Sequence, residues 1–179
     1  MNLCEGDIRE LKHGSNRNML KRNVPKKLWD HCLELESRIR STTTLPRSDL
    51  DHQTPEAKMH GISVDISDIC EFEFYEWIMF NDSQATFHET NFHVGRWLGP
   101  VVDVGSALTY KILKSNGEVV PHLTIRHLTL DELTHPDHIS TRKAFDDTII
   151  QKIGVPATEN DSDKDYLTPT YEYYDDYHQ

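Results

Sequence analysis

The chain has 179 residues, 36% of them hydrophobic, with 30 Asp and Glu against 19 Lys and Arg and a formal net charge of −11. At about 100–200 residues per domain this is one domain or two small ones, and a hydrophobic share below the usual ~45–50% leaves part of the chain outside any packed core. No apolar run approaches the ~20 residues of a membrane span, the first residues do not form a signal peptide, and Cys4, Cys32 and Cys70, odd in number and without a Cys-x-x-Cys pair, argue against a disulfide framework or a cysteine zinc site.

Charge is unevenly spread. Residues 1–50 hold ten Lys and Arg against seven Asp and Glu, residues 51–130 five against eleven, and residues 131–179 four against twelve. A basic front precedes a middle rich in aromatic residues and an acidic rear.

Residues 2–22 read as a helix: Leu3, Ile8, Leu11, Met19 and Leu20 recur near helical spacing with Arg9, Lys12, Arg17, Lys21 and Arg22 between them. Gly14 is its weak point, and Asn23-Val24-Pro25 ends it. Pro25 opens a second helix, with Leu28, Cys32, Leu35 and Ile39 as its buried stripe and Lys26, Asp30, Glu34 and Arg38 facing water. After a polar stretch, Thr54 caps a short helix over Pro55–Met59 that Gly61 ends.

From Cys70 the period changes to two. Cys70, Phe72 and Phe74 alternate with Glu71 and Glu73, and the phase slips at Tyr75-Glu76-Trp77, as a bulge requires. Residues 96–102 give a second strand interrupted by Gly99-Pro100. Leu108, Tyr110 and Ile112 begin a hairpin that turns at Asn116-Gly117, two residues that tolerate positive φ, and returns through Val119, Leu123 and Ile125. These strands predict a small curled antiparallel barrel. A short helix puts Phe145, Ile149 and Ile153 on one face, and the acidic stretch after Pro156 reads as disordered. The predicted class is α+β, divided into helices over 1–62, a small β-barrel over 68–130, and a linker and tail over 131–179.

Few residues offer chemistry. His88, His93, His122 and His127 form two H-x4-H pairs that would suit a metal if they converged, but the odd separation puts the members of each pair on opposite faces of a strand. Glu5, Arg9 and Lys12 share one helical face. Either Glu5 and Arg9 are an i,i+4 pair on a solvated surface, or Glu5 is a metal ligand beside cations that hold nucleic-acid phosphates. The residues alone favour the first.

The order of signals resembles the downstream half of a copia-type retrotransposon integrase within its polyprotein. The residues that carry it are the run from Asn2 through Glu5 and Arg9 to Lys12, then Met19-Leu20, Val24-Pro25-Lys26-Lys27-Leu28-Trp29, Thr54-Pro55-Glu56, Gly95-Arg96-Trp97-Leu98-Gly99-Pro100, and the hairpin ending Lys114-Ser115-Asn116-Gly117. The resemblance covers residues 2–130. It implies that residues 1–62 are a helical remnant of a ribonuclease-H-like integrase core, followed by the small antiparallel β-barrel of such proteins and an acidic disordered tail. It implies that Glu5 is the catalytic and metal-binding Glu, and that Arg9, Lys12 and Arg17 contact DNA. It also implies Mg²⁺ or Mn²⁺ in the intact enzyme and a nuclear or cytoplasmic, non-secreted setting. The strands that bear two partner aspartates are missing from this sequence, so the expectation is weak DNA association through residues 1–50, no tight metal binding and no catalysis by this chain alone. Self-association through exposed helix stripes is the other expected contact, and no membrane contact is expected. A rival reading from a different class is a non-enzymatic barrel that binds a protein or peptide through Trp77, Trp97 and Tyr110.

Overall fold

The structure, a computed structural model, describes residues 3–45, 50–63, 65–81, 92–101 and 108–158. Helix α1 (Leu3–Lys21) runs unbroken through Gly14. It stops at Lys21, four residues before the proline: Asn23 adopts a left-handed φ of 52°, while the Asn23 amide donates to the Leu20 carbonyl and the Val24 amide to the Met19 carbonyl. This is a Schellman cap with asparagine at the left-handed position, and Met19 and Val24, its usual apolar pair, are both buried. A 3₁₀ turn (Lys26–Leu28) then leads into α2 (Trp29–Thr42). The stripe holds, since Leu28, Cys32 and Leu35 are buried and Ile39 packs against the core. Arg38 is turned to Asp68 at 2.7 Å rather than to water.

Helix α3 (Pro55–His60) begins where Thr54 accepts from the Ala57 amide at 3.1 Å and ends at Gly61 with φ 70°. The alternating stretch 70–74 is not a strand. Residues Ser67–Cys70 form a short helix, α4, and the ladder starts at β1 (Trp77–Asn81). Phe72 and Phe74 are nonetheless buried with Glu71 and Glu73 exposed, while Cys70 is exposed, so the period tracked burial only over residues 71–74 and without a pairing partner. The phase slip is real. Tyr75, at φ 61°, donates its amide to the Trp97 carbonyl at 2.8 Å, and Trp97 donates to the Glu76 carbonyl at 3.0 Å. Two residues thus oppose one.

Strands β2 (Phe92–Pro100), β3 (Tyr110–Leu113), β4 (Val119–His122) and β5 (Ile125–His127) complete an antiparallel sheet of order β4-β3-β2-β1-β5. The β3–β4 hairpin is as expected, but its turn differs. Gly117 has φ 85° and Asn116 has no positive φ. The Gly117 amide donates to the Lys114 carbonyl and the Lys114 amide to the Glu118 carbonyl, which makes a three-residue loop rather than a two-residue one.

Only Leu123 and Thr124 separate β4 from β5, yet these strands lie on opposite edges. Flat, the edges would be about 19 Å apart, whereas three Cα steps span about 11 Å at most. The sheet therefore curls strongly, and the Phe80 and His122 rings of β1 and β4 meet at 4.6 Å. The expected closed barrel is not found: β4 and β5 share no ladder, β5 has only three residues, and Pro121 within β4 lacks an amide donor.

Past the sheet the chain is more ordered than expected. Helix α5 (Leu130–Thr134) has a full capping box of Thr129 and Glu132, and α6 (Pro136–Lys152) is long, with Phe145 and Ile149 buried. Ala157, expected to be free, donates its amide to the Val24 carbonyl at 2.9 Å. One core cluster joins Met19, Leu28 and Leu35 of the helical front with Phe72, Trp97 and Ile112 of the sheet region and Phe145 of α6. The rest of the tail from residue 159, the strand end at Val102 and the candidate ligand His88 lie outside the described residues.

Candidate nucleic-acid interface and the groove beside it

The orientation of α1 is fixed by its inner face. Gly14 and Ser15 are buried against α2, where the Cys32 thiol donates to the Ser15 carbonyl at 3.5 Å and Asn18 Nδ2 to Glu36 Oε2 at 2.9 Å. At 100° per residue this turns Glu5, Arg9 and Lys12 to the outside, with Arg17 on the flank. Glu5, Lys12 and Arg17 are exposed and Arg9 is half-buried. Among the described residues neither Arg9 nor Arg17 is in an ion pair, so the i,i+4 partnership of Glu5 with Arg9 does not form. The charges nearer the inner face are matched instead, Asp7 to Arg40 at 3.8 Å and both Lys21 and Arg22 to Glu73. The outer face thus collects cations around one carboxylate, and its chemistry is electrostatic.

Among the described residues no three His, Cys, Asp or Glu side chains come together to hold an ion. A two-metal centre needs several carboxylates to fix both cations, and the donor set around Glu5 does not fit one. Among the described residues the histidines form no such group either. His93 and His122 lie against the Phe80 ring at 5.8 and 4.6 Å, while His127 stacks on Phe72 at 4.4 Å.

Beside the inner edge of α1 lies a groove of about 600 Å³ between Leu35 and Ile39 of α2 and the segment from Ile69 to Glu76. Its polar wall is internally paired: His127 Nδ1 is 3.1 Å from Glu76 Oε1 and Glu73 takes Lys21 and Arg22. Cys70 and His127 both line it, but among the described residues no hydrogen bond joins them, so no thiol–imidazole pair is formed.

The aromatic surface of the rival reading is absent. Trp97 is fully buried and Tyr110 nearly so. Trp77 is half-buried beneath the Arg96 guanidinium, 3.4 Å from the ring centroid, with the Tyr75 ring at 4.4 Å. Arg96 also donates to the Tyr75 carbonyl at 3.0 Å and to both carboxylate oxygens of Asp146. Burial pushes the Tyr75 hydroxyl up to about 12, with Arg96 opposing. Sequence reasoning kept Arg96 only as part of a family block. Its role depends on Asp146, fifty residues away, which no local pattern announces.

Compared with protein-family models, with curated proteins and with solved structures, the chain matches none.

Proposed function

We propose that the chain is a nucleic-acid-associating segment of a copia-type retrotransposon integrase region, which takes part in DNA integration and is not catalytically competent by itself. In this reading α1 and α2 are the last helices of a ribonuclease-H-like core, and the curled sheet is the small barrel module that follows it. The observation that carries the reading is the α1 outer face. It presents Arg9, Lys12 and Arg17 around Glu5, away from the face on which Gly14, Ser15 and Met19 are buried. Cations on a rigid helix, Arg9 and Lys12 about one turn apart with Arg17 on the flank, suit a phosphate backbone and carry no base readout of their own.

Within these 179 residues Glu5 is the one carboxylate that the resemblance assigns to catalysis. In this reading metal chemistry would need two Asp ligands besides Glu5, and Glu5 lies beside the bound phosphates.

The test is fluorescence anisotropy of a labelled duplex against the full chain over a range of salt concentrations. Binding is expected at micromolar Kd or weaker, with log affinity falling linearly against log salt. The triple variant Arg9→Ala, Lys12→Ala, Arg17→Ala should weaken all sequences alike and flatten that slope. Binding that ignores both salt and these substitutions would overturn the reading.

A further inference from the structure

The segment after α6 doubles back to the α1–α2 junction. Pro156 bridges Pro25 in antiparallel sense, the Ala157 amide donates to the Val24 carbonyl at 2.9 Å, and the Lys26 amide donates to the Val155 carbonyl at 3.4 Å. Val24 and Pro25 are fully buried, so this attachment is an edge of the core and not a surface graze. It delivers Thr158 beside the most basic stretch of the chain, where Arg17, Lys21 and Arg22 close α1 and Lys26 and Lys27 follow the proline. The next 21 residues, 159–179, carry seven Asp and Glu against one Lys.

We propose that residues 159–179 dock on the basic outer face of α1 and on the α1–α2 junction, covering in cis the surface assigned above to phosphates. The regulatory meaning rests on that assignment; the contact itself does not. Reach is ample. An extended 21-residue segment covers about 70 Å, and α1 is about 28 Å long, so every cation back to Arg9 is accessible from Thr158. Glu73 already matches Lys21 and Arg22, so the acidic segment falls chiefly on Arg9, Arg17 and Lys27. Exposed ion pairs are individually weak, and the free segment would bind poorly. Tethering changes the balance, because a covalently attached ligand acts at an effective concentration of order mM. An acidic segment seated there presents to the helix the carboxylates that replace phosphates, and nucleic acid must displace it.

The experiment places a nitroxide at Thr170→Cys in the full chain, with exposed Cys4 and Cys70 changed to Ser and buried Cys32 left in place. Amide signals are compared with those of the same chain in which the seven acidic residues of 159–179 are their amides. Broadening is expected at residues 9–27, absent from the amide form and relieved near 1 M salt, where the Debye length falls to about 3 Å. The amide form, without the spin label, should bind a labelled duplex at least tenfold more tightly at low salt. No broadening over residues 9–27, or broadening confined to another face, overturns the docking whatever the duplex does. Broadening as expected with no duplex binding in either form supports the docking and removes the nucleic-acid reading instead.

Discussion

Arg96 on β2 and Asp146 on α6 are joined by two hydrogen bonds from one guanidinium nitrogen, 2.9 and 3.1 Å long. With Arg96 lying over Trp77, and Trp77 meeting Phe145 edge-on at 5.1 Å, this pair locks α6 to the sheet. Burial depresses the Arg96 pKa and Asp146 opposes that shift. Asp146→Ala removes the counter-charge from a guanidinium whose Nε already lacks a partner, and should cost about 2 kcal/mol. Arg96→Lys keeps the charge but loses the planar stack, for about 1 kcal/mol. Urea unfolding monitored by tryptophan fluorescence checks both. An unchanged midpoint in Asp146→Ala would show the clamp to be idle.

Two glycines should answer alanine differently. The nearest atoms to a Cβ at Gly14 are the Glu36 carboxylate and Cγ, the outer part of a flexible side chain. Alanine gains about 1 kcal/mol in helix propensity and loses about as much when Glu36 gives up its bond from Asn18. Gly14→Ala should therefore be nearly neutral, and stabilising by about 1 kcal/mol once Glu36→Ala clears the space. At Gly95 a Cβ would lie 2.7 Å from Ile112 Cγ2 and 3.1 Å from the Leu113 carbonyl oxygen. A buried β-branched side chain and a backbone cannot step aside, so Gly95→Ala should cost about 2–3 kcal/mol. Thermal melts of the four variants decide it. Equal losses at both sites would refute the distinction.

What the residues made legible was local. The Thr54 cap, the Gly61 stop, the α2 stripe and the Asn116-Gly117 hairpin each depend on neighbours a few positions away. The stretch 70–74 misled because alternating burial needs only a buried side, whereas a strand also needs a partner ladder, and the Tyr75–Glu76 bulge delays that ladder to Trp77. The Arg96 clamp was out of reach, since it is settled by a contact between residues fifty apart, whereas the start of α6 rests on local signals, Pro136 in its first turn and the His135 cap. Of the candidate site, the shared face of Glu5, Arg9 and Lys12 was readable from helical spacing, while the return of Ala157 to Val24 was not.

Acid should loosen the start of α5. Arg126 donates to both Glu132 oxygens at 2.8 and 2.7 Å, and the Thr129 amide adds a third bond at 2.8 Å. The Arg126 bonds chiefly, against the opposing cost of burial, hold the Glu132 carboxyl down to about 2, from an ordinary 4.5. The folded value lies below the unfolded one, so this stabilisation is complete above about pH 4.5 and is lost as pH falls toward 2. Carboxyl ¹³C shifts should titrate near 2 in the native chain and move toward 4.5 in Arg126→Gln. A native midpoint already near 4.5 would mean that the pair is not held in solution.

Cys32 tests whether the helical front and the sheet open together. Burial chiefly, with Glu36 adding, pushes its thiol up to about 12, and it is 1% exposed within the core cluster that also holds Trp97 and Ile112. A thiol that is both buried and protonated is inert. At pH 8 a thiol reagent should therefore take exposed Cys4 and Cys70 at once and reach Cys32 only through opening. Because Cys32 and Leu35 share neighbours with the sheet, that opening should be the global one. The protection free energy of Cys32 should then equal the unfolding free energy from urea, and Leu35→Ala should lower both together by about 2–4 kcal/mol. The pH dependence separates the routes further. Reaction from the open chain follows the free thiol's pKa near 8.5, whereas direct attack on the native thiol would keep accelerating toward 12. Cys32 labelling well ahead of urea unfolding, with the β1–β3 amides still protected, would show that α1 and α2 detach as a unit of their own.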